Sequence, residues 1–324
     1  MKHDLPRRAV LAAVLAAPAL TAQAQDAWPS RPITLINGYA PGGLTDISTR
    51  AIAERLSREL GQTIVVDSRP GGGTSVSATA VAAARPDGYT LLMGATSLAI
   101  NPALQPSLTP RDPMTALVPV GLGYRSAFVL HVHPSLPARN AAEFIAYAKA
   151  NPGKIDFGSS GVGAVNHLAL ELLRVAGGIE VNHIPYRGGA PALIDLRTGR
   201  IQAMWQAALE AIPAIRDGAT RPIAVSGLDR LALLPDVPPM ADTLPGFDAT
   251  FWQGVFAPVG TPPAVLARLE SGLRVTTTDP VLAARLGEQG VALAPGSAED
   301  LRALLARETA SWGRLIREQG IRAE

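Results

Sequence analysis

The chain has 324 residues, of which 47% are hydrophobic, only 5% are aromatic and none is cysteine. It can therefore form neither a disulfide nor a lipid-modified cysteine, and its core must be built largely from Ala, Leu and Val. Its 29 basic and 27 acidic residues contain no basic block interleaved with aromatic residues, so we expect no nucleic-acid partner. A chain of this length exceeds one comfortable hydrophobic core, which favours two domains.

The first 24 residues predict a signal peptide. Basic residues at positions 2, 7 and 8 precede an apolar run over 9–20, and Ala22-Gln23-Ala24 fits a small-x-small cleavage site. The apolar run is shorter than the roughly 20 residues that a membrane span needs. Without residues 1–24 the chain has 26 basic and 26 acidic residues. We expect a soluble periplasmic protein of balanced charge, exported by either the general or the twin-arginine route.

The first predicted unit is a strand over 33–36, a turn at Pro41-Gly42-Gly43 and a helix. Thr45 is the predicted N-cap of this helix, and Gly61 is expected to end it. The first N–H groups of a helix have no partner within the helix, and small neighbouring side chains leave them accessible. Together with the helix dipole they predict a binding site for a carboxylate or phosphate. A strand-to-helix turn that binds nothing is the competing interpretation.

Two similar strand-to-helix turns follow. A strand over 63–66 leads through Gly71-Gly72-Gly73 into a helix over 76–85, and a strand over 89–93 leads into Gly94-Ala95-Thr96-Ser97. Because the carboxyl ends of parallel strands meet at one edge of a sheet, we expect the three turns to line one cleft. Residues 101–119 are rich in proline and are predicted to be irregular.

The α/β pattern then repeats. We predict strands over 127–132, 155–157, 181–184, 201–205 and 222–225, with helices over 141–150, 164–176 and 190–198. The turns over 158–163 and 185–189 are again rich in small residues. Beyond a proline-rich connection over 234–245, the last predicted elements are a strand over 251–258 and helices over 264–275, 281–289 and 298–319.

This pattern predicts two doubly wound α/β domains between which the chain crosses twice. The first domain is discontinuous, with residues 25–125 plus 249–324, and the second covers residues 126–248. Two such lobes joined by a hinge form the Venus-flytrap arrangement of a type II periplasmic binding protein, which closes on a ligand held between the lobes.

Several motifs together resemble one family. They are Ala40-Pro41-Gly42-Gly43 with Asp46 and Arg50, the triple glycine at Gly71, Pro86-Asp87-Gly88-Tyr89, Ser160-Gly161-Val162-Gly163 with His167, Pro185-Tyr186-Arg187-Gly188, and Trp252-x-Gly254 with Gly260-Thr261-Pro262. In that order they resemble the periplasmic solute receptors of tripartite tricarboxylate transporters, often called the Bug family. The resemblance implies a monomeric receptor without cofactor that captures a small organic carboxylate and passes it to a membrane permease.

The resemblance also implies a set of ligand-binding residues in each lobe. Those of the first lobe are Tyr39, Ala40, Gly42, Gly43, Asp46, Thr96 and Ser97. Those of the second lobe are Ser159, Ser160, Gly161, Gly163, His167, Tyr186, Gly188, Gly189, Ala190 and Gln206. Many relatives have Asp where this chain has Gln202 and Gln206. These neutral amides would not select an amine, so an amino acid ligand is less favoured.

Some of these residues have a structural alternative. Asp46 could contact a ligand, but we favour stabilisation of the first turn of its own helix, because a carboxylate would repel an anionic ligand. His167 could contact a ligand or fix the neighbouring loop, while Tyr186 and Trp252 could line the cleft or lie in the core. The pair His131-x-His133 has no further ligand at suitable spacing, so we expect no metal.

Two other classes of function compete with a transport receptor. A secreted hydrolase is disfavoured because the sequence has no Gly-x-Ser-x-Gly elbow, Walker phosphate loop or Gly-x-Gly-x-x-Gly fingerprint. A ligand sensor that signals to a membrane kinase would use the same lobe closure as a transport receptor, and the sequence does not separate the two.

Overall fold

A computed structural model describes residues 28–322, so the signal peptide predicted over 1–24 lies outside the described residues. The strands are β1 (Ile33–Asn37), β2 (Ile64–Ser68), β3 (Thr90–Ala95), β4 (Leu117–Ser126), β5 (Phe128–Val132), β6 (Asp156–Ser159), β7 (Asn182–Pro185), β8 (Ala203–Ala207), β9 (Arg221–Val225), β10 (Phe251–Pro258) and β11 (Ala292–Gly296). The helices are α1 (Leu44–Leu60), α2 (Ser75–Ala82), α3 (Ser97–Leu104), α4 (Pro113–Ala116), α5 (Ala141–Ala150), α6 (Val165–Gly177), α7 (Gly189–Arg197), α8 (Ala208–Arg216), α9 (Pro263–Thr277), α10 (Pro280–Gly287) and α11 (Ala298–Glu318).

The strands form two sheets, one in each lobe. The six-stranded sheet of the first lobe has the order β11-β4-β10-β3-β1-β2, and the five-stranded sheet of the second lobe has the order β7-β6-β8-β5-β9. The chain passes from the first sheet to the second between β4 and β5 and returns between β9 and β10. The predicted two-lobed α/β fold is confirmed, while the domain boundaries at 125/126 and 248/249 stay predictions.

Both sheets are mixed, and their parallel strands carry the small-residue turns. β1 pairs in parallel with β2 and β3, whereas β10 runs antiparallel to β3 and β4. In the second sheet β6 pairs in parallel with β7 and β8, whereas β5 runs antiparallel to β8 and β9. The loops into α1 and α3 therefore leave the same edge of the first sheet, and those into α6 and α7 leave one edge of the second.

The start of α1 differs from the sequence prediction. Its N-cap is Gly43, with extended backbone angles, and not Thr45; no side chain caps this end of the helix. Gly61 ends the helix in the left-handed conformation, as predicted. The first turn therefore begins two residues earlier than expected and leaves its N–H groups without a side-chain partner.

The aromatic side chains lie mainly in the core. Trp252 is 1% exposed, and its indole Nε1 donates to Glu308 Oε2 at 2.7 Å, so the core interpretation of this residue is confirmed. Trp205 is also fully buried and stacks on Phe247 in the second lobe. Among the helices that the structure describes, none combines the length and apolarity needed to cross a bilayer.

Candidate ligand-binding cleft

A cavity of about 550 Å³ lies between the two lobes. The first lobe contributes the side of the cavity formed by Tyr39, Leu44, Thr45, Gly73, Thr74, Ser97, Ile100, Asn101, Leu104, Gln105 and Phe251. Facing it are Ser126 and Phe128, around the crossing between lobes, and Ser160, Val162, Gly163, Ala164, Val165, Asn166, Ala207 and Glu210. The glycine-rich turns of both lobes thus border one shared space.

Four helices begin at this cavity. Leu44 and Thr45 open α1, Ser97 opens α3, Val165 opens α6, and Ala207 is the N-cap of α8. None of these four helices has a side-chain hydrogen bond to its N-terminus. No Lys, Arg or His of the described chain is among the residues that line the cavity. An anion in this space would therefore meet main-chain donors and helix dipoles instead of a charged side chain.

The residues predicted to bind ligand divide into two groups. Tyr39, Ser97, Ser160 and Gly163 line the cavity. Thirteen others do not line it, namely Ala40, Gly42, Gly43, Asp46, Thr96, Ser159, Gly161, His167, Tyr186, Gly188, Gly189, Ala190 and Gln206. Gly43 immediately precedes two lining residues, and a Cβ added at Gly189 would lie 3.5 Å from Ser160 Oγ, so both glycines border the cavity.

Asp46 is occupied by the protein itself. Its Oδ2 accepts hydrogen bonds from Gly42 N–H and from Arg50 Nε, both at 3.0 Å, and its Oδ1 accepts from Ser68 Oγ at 3.1 Å. Burial raises the pKa of this carboxyl, but the donors Arg50, Gly42 and Ser68 outweigh it and lower the pKa below its usual value. Asp46 therefore fixes the turn before α1. The Gly42 N–H, which was predicted to bind a ligand, donates to Asp46 instead.

Thr96 and Ser97 have different roles although they are neighbours. Thr96 is fully buried and holds the strand β10, since its Oγ1 accepts from Trp252 N–H at 3.0 Å and its own N–H donates to Trp252 O at 3.2 Å. Ser97 Oγ lies 2.6 Å from Thr74 Oγ1 at the cavity wall. Thr96 positions the start of α3, whereas Ser97 and Thr74 present hydroxyl groups to the cavity.

Buried polar contacts fix the loop between β6 and α6. Gly163 N–H donates to His167 Nδ1 at 3.0 Å, and the His167 ring stacks on His183 with centroids 4.0 Å apart. Ser159 Oγ accepts from Gly161 N–H at 3.1 Å and contacts His183 Nε2 at 2.6 Å. Burial lowers the pKa of His183 to about 4, so its ring is neutral at neutral pH. His167, Ser159 and Gly161 therefore fix the conformation of the loop and do not themselves line the cavity.

Ser160 is the residue of this loop that brings a hydroxyl group to the cavity. Its Oγ accepts from Asn166 Nδ2 at 3.0 Å, and the same amide nitrogen donates to Trp205 O at 3.1 Å. Asn166 Oδ1 in turn accepts from Ser160 N–H at 3.3 Å. Because its oxygen already accepts from Asn166, the Ser160 hydroxyl keeps its proton available to donate to a ligand in the cavity.

The two tyrosines of the predicted site differ in what they contact. Tyr39 lines the cavity and meets Phe251 edge-on, with centroids 6.0 Å apart; burial raises its pKa to about 12. It remains a neutral phenol that can donate a hydrogen bond. Tyr186 donates to Asp195 Oδ2 at 2.9 Å, and burial together with that carboxylate raises its pKa to about 12. Tyr186 therefore fixes α7 to its preceding turn.

Sequence reasoning missed several residues of the cavity. Glu210 lies in the first turn of α8, a helix that was not predicted, and its Oε2 accepts from Gln206 Nε2 at 3.0 Å. Leu104 and Phe251 supply apolar wall, and Asn166 orients Ser160. The one available signal was the position of Glu210 just beyond strand β8, where the carboxyl edge of the second sheet was already expected to bind ligand.

His131 and His133 form no metal site. Within residues 28–322 no three His, Cys, Asp or Glu side chains lie close enough to hold a metal ion together. His131 is fully buried with Nδ1 3.0 Å from Thr220 Oγ1, and burial lowers its pKa to about 3. His133 instead contacts Ser135 Oγ at 2.7 Å.

A family profile described as the tripartite tricarboxylate transporter family receptor matches residues 48–321 of the chain. The chain belongs to this receptor family. A relative from Pseudomonas sp. strain P51, named for its position in the tcbD-tcbE intergenic region, is 37% identical over 325 residues, covering 99% of this chain and 96% of its own length. The Bug-family resemblance of the sequence is therefore confirmed.

Solved structures give the same result. The periplasmic binding protein BugD is 31% identical, with a TM-score of 0.74 over 91% of this chain and 100% of its own. Rpa4515 of R. palustris, solved with adipate, is 32% identical, with a TM-score of 0.78 over 91% and 100%. MatC of Rhodopseudomonas palustris, solved with malate, is 29% identical, with a TM-score of 0.73 over 89% and 99%. The chain is a solute-binding receptor of the family.

Proposed function

We propose that this receptor captures a small organic carboxylate between its lobes in the periplasm and delivers it, chemically unchanged, to a tripartite tricarboxylate-type permease. The observation that carries the proposal is the convergence of four uncapped helix N-termini on a cavity with no cationic side chain. Helix N-termini bind carboxylates through main-chain N–H groups and the dipole. The adipate and malate bound to two relatives are ligands of this chemical class.

The contacts we assign follow from the geometry of the cleft. The N–H groups at Gly43 and the first turn of α1 hold a carboxylate, with Ser97 and Tyr39 as further donors. Ser160 and the turn at Gly163 meet the ligand from the second lobe. The remaining residues implied by the resemblance, Asp46 and His167 foremost, hold these turns in place through the hydrogen bonds described above.

Titration calorimetry of the mature protein tests the proposal directly. The panel contains dicarboxylates, aromatic acids, amino acids and nicotinate, and each bound compound is recovered and analysed for chemical change. We expect at least one acid to bind with one site per chain and to be recovered intact. Conversion of a bound compound would show an enzyme, and failure of every carboxylate to bind would refute the carboxylate assignment.

A variant of Gly43 tests the position of the carboxylate. Gly43 has a φ of −80°, and an added Cβ would meet only Ala40 O at 3.9 Å, so Gly43→Val should fold normally. Its isopropyl group would stand beside the first N–H groups of α1 and is expected to abolish binding. Gly287→Val, at the end of α10, is the control for an added side chain, because a Cβ there meets no atom within 4 Å and the residue lies outside the cavity lining. Unchanged affinity in Gly43→Val would remove α1 from the site.

A further inference from the structure

One acidic side chain of the cleft, that of the exposed residue Glu210, has no cationic partner among the described residues. Among the residues that line the cavity, Glu210 is the only ionisable acid or base apart from the phenol of Tyr39. The carboxylate takes part in none of the ion pairs formed within residues 28–322. An unpaired carboxylate at the wall of a binding cavity must repel a second negative charge placed next to it.

The surroundings of Glu210 hold its carboxylate at the cavity. Oε2 accepts from Gln206 Nε2 at 3.0 Å, and Gln206 is only 2% exposed, so its amide is fixed. On the other side lies Gly189, where an added Cβ would come within 2.9 Å of Glu210 Oε2 and 3.5 Å of Ser160 Oγ. A side chain at position 189 would displace the carboxylate, so the glycine leaves room for Glu210 beside Ser160.

Glu210 also bears on the expectation that Gln202 and Gln206 make an amino acid ligand less favoured. Gln202 is not at the cleft, because its Oε1 accepts from Asp156 N–H at 2.8 Å and its Nε2 donates to Gly199 O. Gln206 is at the cleft only as the donor to Glu210. The neutral amides therefore do not decide whether the site accepts an amine, since a carboxylate, that of Glu210, follows four residues after Gln206 in the first turn of α8.

We propose that Glu210 determines specificity: it accepts a hydrogen bond from a donor group, ammonium or hydroxyl, on the part of the ligand remote from its carboxylate, and it rejects a second carboxylate there. This inference rests on the proposed function, in which main-chain N–H groups hold the first carboxylate. An ionised carboxylate accepts hydrogen bonds and cannot donate one, so a donor-bearing monocarboxylate complements both ends of the cleft and a dicarboxylate complements only one.

Glu210 has a second effect that the test must separate from specificity. A carboxylate in the first turn of a helix interacts favourably with the helix dipole wherever the helix lies. Glu299 is the matched control, because it occupies the first turn of α11 and lies outside the cavity lining. Glu299→Gln also removes a charge from the first turn of a helix, together with a contact to Arg302 at 3.4 Å, and it should leave ligand discrimination unchanged.

The experiment compares acids of equal length that differ only at the far end. Calorimetry is run on wild type, Glu210→Gln and Glu299→Gln with butyrate, 4-hydroxybutyrate, 4-aminobutyrate and succinate, and with hexanoate, 6-hydroxyhexanoate, 6-aminohexanoate and adipate. Wild type and Glu299→Gln should bind a hydroxy or amino acid at least tenfold more tightly than the dicarboxylate of the same length. Glu210→Gln should erase that preference, and its affinity for the dicarboxylate should rise at least tenfold.

The experiment distinguishes an ammonium donor from a hydroxyl donor, and it distinguishes failure of this inference from failure of the proposed function. If the favoured donor is ammonium, Glu210→Gln loses at least tenfold in affinity for the amino acid; if it is hydroxyl, the hydroxy acid is preferred in wild type and loses less, because a glutamine also accepts hydrogen bonds. A wild type that prefers the dicarboxylate, or a Glu210→Gln protein with unchanged ratios, overturns the inference and leaves the carboxylate receptor intact. Binding of none of these acids by any of the three proteins overturns the inference, and the proposed function is overturned with it when the wider panel of carboxylates also fails to bind.

Discussion

Gly163 provides a test of whether the two lobes meet at the cavity as described. It has a φ of +78°, and a Cβ added there would lie 2.2 Å from Leu104 Cδ2. Gly163 belongs to the loop before α6 in the second lobe, whereas Leu104 ends α3 in the first, and both line the cavity. Gly163→Ala would therefore strain the loop and also push the two cavity walls apart.

The two effects have different magnitudes and different readouts. A left-handed conformation costs an alanine about 1–2 kcal/mol, which lowers the free energy of unfolding whether or not ligand is bound. The clash with Leu104 falls on the end of a flexible side chain, so it moves the wall instead of unfolding the lobe. We expect it to weaken binding by about 1.4 kcal/mol, which is tenfold in affinity.

Gly218 supplies the control for backbone strain. Its φ is +75°, almost the value at Gly163, but an added Cβ meets nothing within 4 Å, and the residue lies outside the cavity lining. Urea unfolding should show a similar loss of stability in Gly163→Ala and Gly218→Ala, whereas calorimetry with the best ligand should show weaker binding only in the former. Adding Leu104→Ala to Gly163→Ala should restore part of the affinity. If Gly163→Ala binds like Gly218→Ala, the contact between the lobes does not shape the site.

Three further variants test single groups. Ser160→Ala should weaken ligand binding by about 1 kcal/mol in calorimetry, and an unchanged Kd would make Ser160 structural. Asp46→Ala should lower the free energy of unfolding by about 2 kcal/mol at pH 7, because it removes three hydrogen bonds to a charged group; since the pKa of Asp46 is lowered in the fold, the difference should shrink as the pH falls below about 4. Burial raises the pKa of Glu308 from its ordinary value of 4.5 to about 7, so the free energy of unfolding falls as the pH rises from about 4.5 to about 7. Glu308→Gln should therefore match wild type at pH 4 and exceed its stability at pH 8 in urea unfolding, and parallel pH profiles would contradict this.

Elements with local start and stop signals were predicted well from the sequence. The predicted helix over 141–150 is α5 as observed, because Asn140 caps it by accepting from Glu143 N–H and Asn151 ends it. The strand over 251–258 is also observed as β10, a continuous run that is buried between two antiparallel neighbours. In both cases the information lies within a few residues of the element itself.

The missed elements depend on partners that are distant in the sequence. β4 contains Pro119, Gly121 and Gly123, and its first residues lie in the segment 101–119 that was predicted to be irregular. No strand was predicted there, yet β4 pairs with β10 and β11 on either side. Its pairing with β10 has register shifts, which accommodate residues that a regular strand disfavours. β11 pairs with β4 through only a few residues around Pro295, and α8 contains Pro213. Local propensity argues against the two strands, and tertiary pairing overrides it; α8 forms with Pro213 inside it.

The candidate site was predictable in outline but not in the role of each side chain. Small residues after parallel strands indicated the correct edge of each sheet, because that property follows from connectivity. Whether a polar residue faces the cavity or supports the loop depends on one side-chain rotation. Asp46, Ser159 and His167 turn toward backbone groups of their own loops, whereas Ser160 turns outward. The sequence carries no separate signal for this choice.

Under the proposed function, the division of the donors between the lobes also provides a route to release of the ligand. α1 and α3 begin at the cavity from the first lobe, and α6 and α8 begin there from the second. A ligand bound to one lobe alone would meet only half of these N-termini, and water would satisfy the others. A ligand that contacts both lobes favours their approach only by its differential affinity for the closed state. Any partner that separates the lobes therefore removes half of the binding groups at once, without competing for the ligand itself.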